Sequence, residues 1–244
     1  MRKISRKQML PSVAVIAMAV FAVTSMAVIC CEKGENMNPM AETDPFTDID
    51  GNGYRTVKIG AQVWMTENLR VTRFRNGDGI PHVADQAEWP DLIRGAYCHY
   101  NNDPENSSTS GCLYNWYAVD DGRGVAPAGW HVPADADWQI LITCLGGDTA
   151  SAGKLKEAGM SHWRAPNRGS TNESRFSAIP SGYRDFGYGD YFGIDVVAVF
   201  WSSTENDSGS AWNWNLVSRE PYVYRKSSSK ICIFDPVREG LRNK

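Results

Sequence analysis

Apolar residues recur at two spacings along this chain, and each change of spacing marks a new element. Trp138, Leu141, Ile142 and Leu145 stand at i, i+3, i+4 and i+7, which is one face of an α-helix. Its ends are legible. Pro133 holds Val132 extended ahead of it. Asp135 and Asp137 place carboxylates in the first turn, where unpaired N–H groups point outward. Gly146-Gly147 closes it, since glycine accepts the left-handed conformation beyond a helix end. A second short helix is predicted from Thr149 to Ala158, with Asp148 or Thr149 as cap and Gly159 as stop.

Elsewhere the spacing is two. Tyr54 to Ile59 alternates as a half-buried strand, and Gln62 to Met65 returns after the Gly60-Ala61 turn. Val196 to Trp201 is the apolar run of a buried strand. Ala211 to Val217 alternates Trp212 and Trp214 with Asn213 and Asn215, so one face is aromatic and the other amide. Tyr222 to Tyr224 and Lys230 to Phe234 complete a sheet. Ala87 to Leu92 is read as a short helical turn, Asn101 to Gly111 as a polar loop and Trp163 to Glu173 as another. The succession predicts an α+β fold, a single domain of twisted antiparallel sheets with two short helices and long irregular loops.

The first thirty residues obey a different rule. Arg2, Lys3, Arg6 and Lys7 precede an apolar run, Val13 to Ile29, slightly short for a stable membrane span. The run ends in Cys30-Cys31 instead of a basic stop. Val28-Ile29-Cys30-Cys31 is similar to a bacterial lipobox, with Cys30 where Ala, Gly or Ser is usual. Residues 1–30 are therefore read as a lipoprotein signal peptide and Cys31 as the lipidated residue, Cys30 being the other candidate. Residues 31–46 are read as a flexible polar tether and 47–244 as the folded domain. The lipid would hold the protein at the outer membrane or cell surface, or on the periplasmic face.

Composition changes this picture in two ways. The chain carries a net charge of −3, and removing the four basic residues of the signal leaves −7. So acidic a body lacks the basic footprint that nucleic acid requires. Nine Trp and ten Tyr are many for 244 residues, enough to line a cleft as well as fill a core.

Four cysteines remain beyond the anchor, an even set, which in an exported chain favours disulfides. Cys98–Cys112 would close the polar loop, and Cys144–Cys232 would tie the helix to the last strand. No Cys-x-x-Cys occurs, and none of the four histidines forms a ligand pair at helical spacing, so no metal is assigned. His131, beside Trp130 and Pro133, is read as a core histidine. Asp48-Ile49-Asp50-Gly51-Asn52-Gly53 has the look of a calcium loop. Its twelfth position holds Ile59 instead of a carboxylate, so a tight turn is the better reading.

Taken together, several motifs resemble the Fibrobacter succinogenes major paralogous domain family. They are Asp48 to Asn52, Lys58 to Leu69, Tyr114 to Ala118, Gly129 to Pro133, Gly153 to Glu157, Asn172-Glu173, Trp201 to Glu205 and Ala211-Trp212. Two departures stand out. Lys230-Ile231-Cys232 replaces a Val-Arg-Cys-like strand, and Ala134 occupies the place of a capping Thr or Ser. The resemblance implies a C-type-lectin-like fold, distantly similar to formylglycine-generating enzymes, in an exported or lipid-anchored protein. Fold resemblance does not transfer chemistry.

No hydrolase, zincin or phosphate-loop motif is present, and neither a catalytic residue nor a cofactor is assigned. The expectation is a non-catalytic surface module that binds a glycan or a protein. Trp201, Glu205, Trp212, Asn213, Trp214 and Asn215 are its candidate ligand residues, because indole faces stack on sugars while amides and carboxylates bond hydroxyls. The alternatives are an adhesive component of a surface assembly, and a formylglycine-generating-type oxidase or exported hydrolase.

Overall fold

A computed structural model describes residues 42–234. The lipidation and signal assignments lie outside them. Over the described residues the fold is a small α+β domain of three antiparallel sheets. The first joins β1 (Glu42–Thr47), β2 (Gly53–Ile59) and β3 (Gln62–Met65) in chain order. The second runs β10 (Tyr224–Ser229), β9 (Ser210–Val217), β8 (Val197–Asp207). The third runs β4 (Tyr97–Cys98), β5 (Leu113–Asn115), β11 (Ile233–Phe234), β6 (Ser181–Arg184), β7 (Tyr191–Ile194). The helices are α1 (Pro104–Ser110), α2 (Trp116–Val119), α3 (Asp135–Cys144) and α4 (Asp148–Leu155).

The β8–β9–β10 sheet is the middle layer, and its period-two alternation divides the interior. Phe200 pairs with Trp214 and Ala198 with Leu216. With Trp138, Leu141, Ile142 and Leu155 these side chains form the core beneath α3 and α4. Val199, Trp201 and Ala211 face the other way, into a core shared with Tyr97, Tyr114 and Trp116 of the five-stranded sheet region. A third cluster, with Trp89, Cys98, Tyr100 and Leu113, covers the far side of that sheet.

The calcium-like segment is a turn. Its Asp48 carboxylate accepts from the backbone N–H groups of Asp50 and Asn52 (both 2.9 Å), from Asn52 Nδ2 (2.8 Å) and from the Tyr54 hydroxyl (2.7 Å). The left-handed Gly51 completes it.

The predicted central helix forms and ends on Gly146-Gly147 as expected, with Gly147 N–H donating to Ile142 O at 2.9 Å. The cap missing at Ala134 is supplied by tertiary structure. Thr204 Oγ1 accepts from Asp135 N–H at 3.0 Å, and Asp137 accepts from Ala134 N–H at 2.8 Å. The helix packs on β8 and β9, not beside the closing strand, which runs between β5 and β6. His131 is not a core residue. It is half-buried, with Nε2 3.6 Å from the Asp137 carboxylate.

Four other expectations need correction. Among the described residues there are four α-helices, not two. The segment read as a loop from Asn101 to Gly111 contains α1, started by Asp103, whose carboxylate accepts from Glu105 N–H at 2.9 Å, and by Pro104 in the first turn. The last strand of the middle sheet is Tyr224–Ser229, which shares only Tyr224 with the first piece assigned to it, while Ile233–Phe234 of the second piece pairs in the five-stranded sheet. Chain already paired in β1 from Glu42 takes the end of the proposed tether.

Neither expected disulfide forms: Cys98, Cys112, Cys144 and Cys232 are all thiols. Cys98 is opposite Leu113 in the β4–β5 ladder, so its neighbour Cys112 points to the other face, and the two occupy different cores. Cys144 packs on the helix-side core and Cys232 in the one across the middle sheet. Burial pushes the Cys98 thiol up to about 11 and the Cys232 thiol up to about 12.

The Gly153 to Glu157 motif has a structural cause. A Cβ on Gly153 would sit 1.9 Å from the carbonyl oxygen of Gly169. Glycine to alanine inside a helix ordinarily stabilises by roughly 0.5–1 kcal/mol. Here the sign reverses, and Gly153→Ala is expected to cost about 1–3 kcal/mol. Urea unfolding of the variant reads this directly, and a gain in stability would contradict the contact.

Candidate functional site

The residues singled out in the sequence are split by the middle sheet. Trp201 is fully buried and its indole N–H donates to Tyr114 O at 3.0 Å. It is a core residue with no face for a ligand. Asn213 and Asn215 share that side of the sheet. Asn215 Nδ2 donates to Asn213 Oδ1 at 2.7 Å, and Asn213 Nδ2 to Ser228 Oγ at 2.9 Å. This amide ladder ties β9 to β10 from a buried position. Glu205 lies farther along β8 and pairs with the buried Lys230, which also donates to Ser208 O at 3.1 Å and covers the Trp116 ring. Burial and the Glu205 carboxylate together push Asp120 above the usual carboxylate range. Lys230 therefore holds the β8–β9 hairpin to α2, and Glu205 serves that contact.

Trp212 and Trp214 are on the opposite face, as the alternation implied. They come together with residues that sequence reading missed. Asp135, buried at the start of α3, accepts from Trp214 Nε1 at 3.1 Å, Arg225 Nε at 2.7 Å and Gln139 Nε2 at 3.1 Å. The Arg225 guanidinium lies 3.4 Å over the Trp212 ring. A charge-assisted network of this kind fixes each rotamer through the next.

Beside it opens a groove of about 400 Å³, whose lining includes Gln139, Thr143, Asp148, Trp214, Val223 and Arg225. Trp214 is almost wholly buried, so little of it is open to the groove. The open chemistry is an amide, a hydroxyl, a carboxylate and a guanidinium around an apolar floor. That set can bind a small polar ligand by hydrogen bonds in several directions. Two signals for it were present in the sequence: Asp135 and Gln139 are one helical turn apart, and Arg225 follows the tyrosines that lead into β10. Among the described residues, no three His, Cys, Asp or Glu side chains are grouped to hold a metal ion, and no helix is long and apolar enough to cross a membrane.

Comparison with known proteins places these features. The Fibrobacter succinogenes major domain is matched over residues 57–238. No curated protein and no solved structure matches the chain. The matched span begins inside β2 and runs past β11, leaving out β1 and taking in the other two sheets, most of both cores of the middle layer and the groove. The chain is thus a member of the Fibrobacter succinogenes major domain family.

Proposed function

We propose that this protein is a lipid-anchored, non-catalytic binding module of the cell envelope, and that its ligand enters the groove between α3, α4 and β9–β10. The observation that carries the reading is the groove itself. Polar side chains from α3, α4 and β10 converge on it, and the buried Asp135 network holds two of them, Gln139 and Arg225, in place. Pre-organised donors and acceptors cost little to order on binding. A short glycan suits this chemistry better than an extended apolar peptide, since Gln139, Thr143, Asp148 and Arg225 all present polar groups to it. Recognition would proceed by hydrogen bonds to hydroxyls. Stacking is disfavoured, because the indole faces at hand are either in the core or covered by Arg225.

The adhesive alternative has one observation in its favour. Phe186, Tyr188 and Phe192 are exposed on the β6–β7 hairpin, where a protein partner would find aromatic anchors. A glycan array separates the two readings. Thr143 is exposed on α3, so Thr143→Arg fills the groove without touching the core. Array binding that disappears in this variant supports the groove. Binding that survives it, or an array without hits alongside capture of an envelope protein through the hairpin, refutes the groove reading.

A further inference from the structure

We propose that His82 and His99 form a binding site for one divalent transition-metal ion of the class that takes imidazole ligands, Zn²⁺ or Cu²⁺, with water completing its coordination. The two residues belong to different segments, and only the tertiary structure brings them together. Backbone pairing sets the meeting. Tyr97 N–H donates to Pro81 O and Val83 N–H to Tyr97 O, both at 3.0 Å, which aligns His82 in parallel with Tyr97 of β4. His99 follows β4 in extended conformation, so its side chain leaves on the same side as that of Tyr97.

Two observations point to a metal. The first is the spacing of the rings, whose centroids are 5.0 Å apart. A metal–nitrogen bond of about 2.0–2.1 Å, directed along the ring axis, puts an imidazole centroid about 3.2 Å from the ion. Two imidazoles in neighbouring positions on one ion, about 90–110° apart, then have centroids about 4.5–5.2 Å apart. The observed separation falls inside that range. Tyr97 limits how far either ring can move. Its own buried ring is 5.1 Å from that of His82 and meets His99 edge-on at 5.7 Å.

The second is the hydrogen bonding. The buried Ser107 hydroxyl of α1 lies 2.7 Å from His99 Nδ1. When it accepts the Nδ1–H, the lone pair of His99 is left on Nε2. Ligating histidines are oriented by hydrogen bonds of this kind from the nitrogen that does not bind the metal. The Cys112 thiol, 4.0 Å from the same Nδ1, closes that edge of the ring. His82 is exposed and makes no hydrogen bond among the described residues, so its ring is free to turn a nitrogen to the ion. One ligand is thus fixed and the other adjustable. No third His, Cys, Asp or Glu joins them among the described residues, so water fills the remaining positions and the affinity should be modest. The site does not depend on the groove reading, since Tyr97 belongs to the core across the middle sheet from the groove.

The test is calorimetric titration of the full chain with Zn²⁺, with Mg²⁺ as control, and pulsed EPR of its Cu²⁺ complex, which counts the imidazoles bound. The parent is expected to bind one Zn²⁺, to ignore Mg²⁺ and to show two imidazoles on Cu²⁺. His82→Ala and His99→Gln should each weaken zinc binding by about tenfold or more and lower the count to one. The double variant His131→Ala/His162→Ala removes the other two histidines of the chain and should bind as the parent does. His82→Ala alters an exposed side chain, so its melting temperature without metal should equal the parent's, and with zinc only the parent's should rise. Absence of zinc binding in the parent, binding that survives both single variants or is lost in the double variant, or a count of fewer than two imidazoles in the parent overturns the proposal.

Discussion

Lys156→Ala is expected to lower the free energy of unfolding by about 3–5 kcal/mol, a large share of what holds a domain of this size together. Lys156 follows the end of α4 and has no solvent exposure. Its ammonium donates to three carbonyl oxygens, of Arg168 at 2.8 Å, Glu220 at 3.2 Å and Val217 at 3.3 Å. One cation thereby joins α4 to the 164–172 segment, to the end of β9 and to the turn after it. Removing it takes that donor from all three, although Val217 O keeps the Glu220 N–H at 3.2 Å, and each carbonyl left unpaired costs on the order of 1–3 kcal/mol. Lys156→Met restores most of the volume but no donor, so it should recover only part of the loss. Equal stability of Met and Lys at this position, measured by denaturant unfolding, would refute the account.

The same residue gives a pH dependence. Burial pulls the Lys156 ammonium down to about 8 from an ordinary 10.5, so it is still protonated at neutral pH. Between those values the unfolded chain holds a proton that the folded chain has released. Stability contributed by this group therefore rises with pH over that window and is flat below it. The rise should be absent from Lys156→Met.

The second large effect is expected at Arg184. Its side chain is fully buried. Nε donates to Gly189 O at 2.7 Å, Nη1 to Val83 O at 3.1 Å and Nη2 to Ala84 O at 3.2 Å. The guanidinium plane lies over Trp89 at 4.5 Å and Tyr191 at 4.8 Å. Arg184→Met is expected to cost about 3–5 kcal/mol, because it takes a donor from three carbonyls, of which only Ala84 O keeps another, Asn102 Nδ2 at 3.1 Å, and removes both ring contacts. Arg184→Lys should cost nearly as much, since an ammonium cannot reach three diverging acceptors from one plane. Loss of Arg184 should also free the β6–β7 hairpin, where Asp185 and Gln86 bind the backbone of residues 187–190. Hydrogen exchange in that hairpin should quicken before the rest of the domain. Unchanged exchange there would show that Arg184 does not hold it.

Much of the fold was legible because elements report their own period. The i, i+3, i+4, i+7 stripe from Trp138 to Leu145 became α3 with its residues in one core. Gln62 to Met65 became β3 to the residue. Trp212 and Trp214 stand on one face of β9 and Asn213 and Asn215 on the other, as alternation required. What failed were inferences about partners. The cysteine pairings assumed that nearness along the chain, or a shared need for burial, meant nearness in space. The binding cluster treated six residues of two adjacent strands as one surface, though Trp201 and Trp214 face different cores. Lys156, Arg184 and Arg225 were not singled out in the sequence, because nothing local to them shows that carbonyls or an indole will surround their head groups.

From the residues alone came the central helix and its apolar face, the strands β2, β3, β8 and β9, the two faces of β9, the turn at Asp48 and the family kinship of the motifs. Those properties depend on neighbours one to seven positions away, where backbone geometry sets the distance. Tertiary structure decided what covers each face: the layering around β8–β9–β10, the separation of the four thiols, the Thr204 cap on α3, and the meeting of Asp135, Trp214 and Arg225 beside a groove. These are contacts between residues far apart in the chain, and a period fixes which side chains share a face but carries no information about what that face will meet.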